Sequence, residues 1–111
     1  MPVRAAGGPM KLRLGIEVRD ETLVALCRQH HVLRLEAFGS VLRDDFRDDS
    51  DVDLLVEFEA DAQVGFLALG ALKRALEALL GRAVDLVPRG GLKPVIRDEV
   101  LRSARTLYRA A

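Results

Sequence analysis

The sequence holds a single cysteine, Cys27, so no disulfide can close within the chain. A reducing cytoplasm is therefore the expected compartment. No stretch approaches the roughly 18 uninterrupted apolar residues that a membrane-spanning helix needs. The opening residues, MPVRAAGGPMKLRLG, carry basic side chains but no sustained apolar segment, and a secretory leader is not expected. Tryptophan is absent, and nowhere do glycine, arginine and aromatic residues alternate over a long surface. A nucleic-acid platform is thus not indicated, although the basic residues described below do not exclude one. There is no internal repeat and no low-complexity tract.

What is present is enough apolar material, 50% of the residues, to build a packed core. At 111 residues the chain supports one such core and not two. Residues 1–15, rich in glycine, proline and small side chains, are expected to form a flexible lead-in, with Met10 a second candidate start. Residues 16–111 then make a single domain. The formal net charge is +0, but the charges are segregated. Residues 44–61 contain nine acidic side chains against Arg47 alone, whereas residues 62–111 contain nine basic and four acidic ones. Such separation suits cation binding at the centre and anion or acidic-partner binding further on, or simply solvated helix faces.

A helix is expected to begin around residues 19–22, with Asp20 or a neighbour as cap and Glu21 in the first turn. Leu23, Val24, Leu26 and Cys27 give it one apolar face, which makes Cys27 a core thiol. His30 and His31 end it and are adjacent, so they cannot face one metal together from a helix. Residues 32–38 form the first strand of the domain, Gly39-Ser40 a turn, and residues 41–43 a short helix. A second strand starts at Asp51. A long helix over 64–80 carries the stripe Leu69, Leu72, Leu76 and Leu79. Phe66, Ala71, Ala75 and Leu80 widen that stripe, which implies either deep burial or contact with another chain. Gly81 stops the helix. Residues 83–87 are a third strand, closed by Pro88. A last helix over 94–103 has Pro94 in its first turn and Val95, Ile96, Val100 and Leu101 facing inward. Residues 106–108 add a short edge strand.

The chemistry concentrates in LEAFGSVLRDDFRDDSDVDLLVEFE, residues 35–59. Alternate strand residues point the same way, so Asp51 and Asp53 stand side by side. Two adjacent carboxylates repel each other unless a cation lies between them, which suggests a divalent metal site at a sheet edge. Gly39-Ser40, between a strand and a helix start, offers backbone N–H groups and a hydroxyl to an anion, and by itself is equally a common turn. Asp85 is the single charge in the third strand. It either sits at a sheet edge in water or turns toward a cation, and the neighbouring Asp pair favours the second.

The combination Gly39-Ser40-x-x-Arg43, Ser50-Asp51-x-Asp53 and a lone Asp85 one strand on resembles the nucleotidyltransferase superfamily related to DNA polymerase beta. The small size resembles its minimal, MNT-type members, and the likeness runs from about Ala37 to the end. Asp44 departs from the glycine that more often follows the motif arginine. The resemblance implies an α/β (α+β) fold, a small mixed sheet flanked by helices, with ATP as substrate and Mg2+ as cofactor. It implies an antitoxin that pairs with an all-helical HEPN toxin and transfers AMP to a tyrosine hydroxyl on it. Asp51, Asp53 and Asp85 would be the catalytic and metal-binding residues. Gly39, Ser40 and Ser50 would serve the nucleotide, and Arg43 would contact a phosphate or shape the loop through a salt bridge. Asp85 would act on the incoming hydroxyl through the metal or by accepting its proton. The alternatives are an antitoxin that only covers its toxin, and transfer to a small molecule, for which the chain has little left to build an acceptor domain.

Overall fold

In the computed structural model the chain is described over residues 9–13, 16–44, 46–47, 49–62 and 64–110. Its elements in order are β1 (Pro9–Arg13), β2 (Ile16–Arg19), α1 (Asp20–Gln29), β3 (Val32–Phe38), β4 (Val52–Phe58), α2 (Phe66–Leu80), β5 (Val84–Pro88), α3 (Pro94–Ser103) and β6 (Arg105–Arg109), with single helical turns at Gly39–Leu42 and Arg89–Gly91. β3 to β6 form a four-stranded sheet in the order β5-β4-β3-β6. β3 lies antiparallel to both β4 and β6, and β4 is parallel to β5. A parallel pair needs a crossover long enough to return the chain to the same end, and α2 is that crossover. This is the mixed sheet flanked by helices that the sequence implies.

Strand alternation sends Leu35 and Ala37 of β3, Val52, Leu54 and Val56 of β4, and Val84 and Leu86 of β5 to one face, where Leu23 and Cys27 of α1 and Leu72 and Leu76 of α2 meet them. Each fully buried leucine or valine there contributes about 1.5–3 kcal/mol. Leu55 points to the other face and is also fully buried. β4 is therefore covered on both sides, which explains its uninterrupted Leu54-Leu55-Val56 run. Burial pushes the Cys27 thiol up to about 12, so it is a core group and unreactive.

The structure departs from the sequence expectations in three places. Residues 9–13 and 16–19 pair as an antiparallel hairpin where a flexible lead-in is expected; residues 1–8, 14 and 15 lie outside the described residues. The segment MKLRLGIEVR alternates apolar and polar residues about Gly15, a period that outweighs its glycine and proline content. α2 starts at Phe66, not at Val64, and Phe66 is 94% exposed instead of widening the buried stripe. In α3, Val95 and Ile96 face out, 88% and 40% exposed, while Leu92 just before the helix is buried. Leu92 takes the anchoring position, and Pro94 then sets a helix whose first turn points its apolar pair to solvent. The edge strand expected at 106–108 is present as β6, beside β3.

Candidate active site

β3 ends where β4 begins, because the two are antiparallel with Phe38 opposite Asp53. β5 enters from the same end, because it is parallel to β4 with Asp53 opposite Asp85. Residues paired across adjacent strands project to the same face. Asp53 and Asp85 are thus neighbours, and Asp51, just before β4 begins, lies close enough for its charge to act on Asp53. The Gly39–Leu42 turn caps the same end. The fold therefore gathers Gly39, Ser40, Asp51, Asp53 and Asp85 at one corner of the sheet, opposite to the face that carries the helical core.

Two features show how crowded that corner is. Gly39 has φ +76, and a methyl group on it would overlap the Asp53 carboxylate. Only glycine provides both the left-handed backbone and the close approach. Asp53 is half-buried, and its carboxyl is held above the ordinary aspartate range of 3.8. Burial is the main cause, followed by the charges of Asp85 and Asp51, while the Arg43 guanidinium acts in the opposite direction. Asp51 and Asp85 are both exposed. Among the described residues no three acidic, histidine or cysteine side chains are drawn together closely enough to enclose a single ion. Uncompensated like charges are expected to spread in that way.

The donor set fits a hard divalent cation in its chemistry: carboxylates on two adjacent strands, Asp53 and Asp85, with Asp51 just ahead of one of them, and oxygen ligands only. The turn beside it fits an anion, since the Gly39 backbone is approachable only because no Cβ stands there. An acidic corner beside an anion cradle is suited to a metal-bridged polyphosphate and would repel a free one.

The motif's remaining members have mixed placements. The Arg43 N–H donates to the Ser40 carbonyl at 2.9 Å, which closes the helical turn, and its guanidinium is felt by Asp53. Ser50 is engaged locally: its hydroxyl accepts the Arg47 N–H at 2.9 Å, and its own N–H donates to the Arg47 carbonyl at 3.0 Å. Further contributors are not evident in the motif. Arg82 stacks on Phe46, 4.7 Å from the ring centroid. The Glu77 carboxylate accepts the Val84 N–H at 2.9 Å and so pins the start of β5. On the polar face, Arg89 pairs with buried Glu36. All depend on tertiary contacts, and only the i, i+4 pair Lys73–Glu77 carries a local sequence signal.

The whole arrangement, a mixed sheet with a Gly-Ser turn against Asp53 and Asp85 at one corner, is a nucleotidyltransferase-type fold. The model of the nucleotidyltransferase domain matches residues 19–107, nearly the full described chain, and the protein belongs to that family. It is 45% identical over 71 residues to the protein adenylyltransferase MntA of Thermococcus cleftensis, an overlap of 64% of this chain and 70% of that one. It superposes on the solved structure of a candidate minimal nucleotidyltransferase with a TM-score of 0.63 at 48% identity, covering 76% of this chain and 84% of the other. A complex of tri-AMPylated Shewanella oneidensis HEPN toxin with its MNT antitoxin shares the fold at 20% identity, with a TM-score of 0.59 over 90% of this chain and 74% of that one.

Proposed function

We propose that this chain is a magnesium-dependent protein adenylyltransferase that moves AMP from ATP to a hydroxyl, expected to be a tyrosine, of a HEPN partner and thereby acts as its antitoxin. The observation that carries the reading is the register of β4 and β5, which sets Asp85 beside Asp53 at the Gly39 turn. The similarity to a named protein adenylyltransferase supports the nucleotide and the type of transfer. The fold shared with the antitoxin of an AMPylated HEPN toxin supports the kind of partner. Among the described residues no helix is long and apolar enough to cross a membrane.

In this reading Asp51, Asp53 and Asp85 would hold the magnesium. Bound there, the ion would neutralise charge on the attacked phosphorus and on the departing pyrophosphate. The Gly39 N–H and the Ser40 hydroxyl seat the terminal phosphates, and Arg43 adds a positive charge at the same turn. Ser50 contributes through the shape of the loop that leads into Asp51. The acceptor oxygen forms a bond to the α-phosphorus while the bond to the β-phosphate oxygen breaks. Pyrophosphate leaves, and Asp85 would act on the incoming hydroxyl, either through the metal or by accepting its proton.

The test is co-expression with a HEPN partner followed by intact-mass measurement. Gain of AMP on the partner with the parent chain, and none with Asp51→Asn/Asp53→Asn, is the expected result. A correctly folded parent chain that transfers nothing in the presence of magnesium and ATP rejects the reading. Full neutralisation of toxicity by the double variant favours an antitoxin that acts by covering its partner.

A further inference from the structure

Arg82 belongs to no motif, yet from its place just ahead of the strand bearing Asp85 it reaches the loop that leads to Asp51. It follows Gly81, whose left-handed backbone (φ +70) ends α2 with its N–H donating to the Glu77 carbonyl at 2.8 Å. The corner around Arg82 is fixed from three sides. Glu77 reaches past Gly81 to hold the Val84 N–H at 2.9 Å. The Lys73 ammonium, at 3.3 Å, holds Glu77 in turn. One residue on from Arg82, the Ala83 carbonyl accepts the N–H of Val52, the first residue of β4, at 2.9 Å. From this fixed corner the guanidinium extends over the Phe46 ring at 4.7 Å, and one of its nitrogens lies 3.5 Å from the Arg47 carbonyl. Phe46 itself packs against the apolar core. The Arg47–Ser50 turn, closed by two hydrogen bonds, follows directly and ends one residue before Asp51.

On the reading of the site given above, the distances that matter are those among Asp51, Asp53, Asp85 and the Gly39 turn. β4 and β5 fix Asp53 against Asp85 by their register. Asp51 precedes β4: the sheet holds it on the Val52 side, through the Val52 N–H bond to the Ala83 carbonyl, and the Arg47–Ser50 turn precedes it on the other. Its position depends also on the loop, and the loop is tied by Arg82 to the segment just ahead of β5 and by Phe46 to the core. We infer that Arg82, clamped on Phe46 and the Arg47 carbonyl, is a positioning residue that sets Asp51 relative to Asp53 and Asp85 and so tunes the affinity of the site for its divalent cation. A guanidinium suits this task better than an ammonium, because its flat fork can stack on a ring and donate to a carbonyl at the same time.

Two variants test it: Arg82→Met, which keeps an aliphatic stem without the fork, and Phe46→Leu, which keeps the core contact and every charge but removes the ring. The probes are Mn2+ titrated with a non-hydrolysable ATP analogue, amide hydrogen exchange at residues 46, 47, 49 and 50, and the thermal midpoint. Both variants should raise the Mn2+ concentration for half-saturation, and the loop exchange rate, by roughly threefold to tenfold, the range expected from losing one cation–π contact. The thermal midpoint should stay within a few degrees of the parent. Parent-like Mn2+ binding and exchange in Phe46→Leu would overturn the inference, since a mere counter-charge is untouched by that change. Should Arg82→Met fail to fold, Phe46→Leu decides alone. If the parent chain binds neither Mn2+ nor nucleotide, the nucleotidyltransferase reading fails, whereas loop exchange still decides whether the clamp exists.

Discussion

β4 and β5 run side by side and have unlike ends. At their start stand Asp51, Asp53 and Asp85, against a glycine that tolerates no Cβ. At their finish stand Phe58 and Pro88, which together with Val64, Gly65, Phe66 and Leu69 line a cavity of about 300 Å3. Phe66 and Leu67 beside it are 94% and 89% exposed. One end gathers charge that repels itself, and the other leaves apolar surface in water. Neither arrangement helps the isolated chain fold. Between them the strands are buried on both faces at Leu54 and Leu55, and this middle supplies the stability that both ends draw on.

The comparison can be broken most directly at the charged end. Asp53→Asn should reduce AMP transfer by about 10³, since metal-mediated charge stabilisation is worth several kcal/mol. The same variant should melt higher than the parent in a chelator, by about 2–5 °C, because burial and two neighbouring charges disfavour the ionised Asp53 in the folded state. A drop in midpoint would mean that the carboxylate is satisfied without a cation. Next is the shared middle. Leu54→Ala should cost about 2–5 kcal/mol by denaturant unfolding, the range for a fully buried leucine. It should weaken both ends together.

Gly39→Ala is expected to lose about 1–3 kcal/mol for its left-handed backbone alone. Transfer should fall further than stability does, because the new methyl group displaces Asp53; equal losses would argue against a tight Gly39–Asp53 contact. At the apolar end the expected effect is small. Phe66→Ser/Leu67→Ser should change monomer stability by no more than about 0.5 kcal/mol, as for other exposed positions, and should leave nucleotide binding unchanged. The smallest effect concerns pH. Hydrogen bonds from Val84 and Lys73 hold the Glu77 carboxyl below its ordinary 4.5. Its contribution is therefore complete above that value and is lost as pH falls through the lower folded pKa. Thermal melts below 4.5 should show a shallower decline for Glu77→Gln than for the parent.

Much of the site is legible along the chain. The Gly-Ser turn, the Asp-x-Asp pair and the lone strand aspartate are separated by spacings that a strand–turn–strand layout needs, although Asp51 falls just ahead of the strand that carries Asp53. The helix ends are also legible, since Gly81 and Pro94 act through local backbone preference. Where local cues competed, the reading failed. The glycines and prolines before residue 16 obscured the alternation that builds the β1–β2 hairpin, and Val95 and Ile96 looked inward because helical spacing does not say which face meets the sheet. Ser50 fits the motif by position, and its hydroxyl also accepts the Arg47 N–H within the loop.

The sequence by itself determined the chemistry available: which carboxylates exist, which glycine can take a left-handed turn, and which strands and helices alternate. Only the tertiary structure decided that Asp85 stands opposite Asp53, because the register of a parallel pair is set by the crossover helix and its packing through Leu72 and Leu76. It also decided that Arg82 meets Phe46 across 36 residues of chain, an energy that depends on distance in space and leaves no period in the sequence.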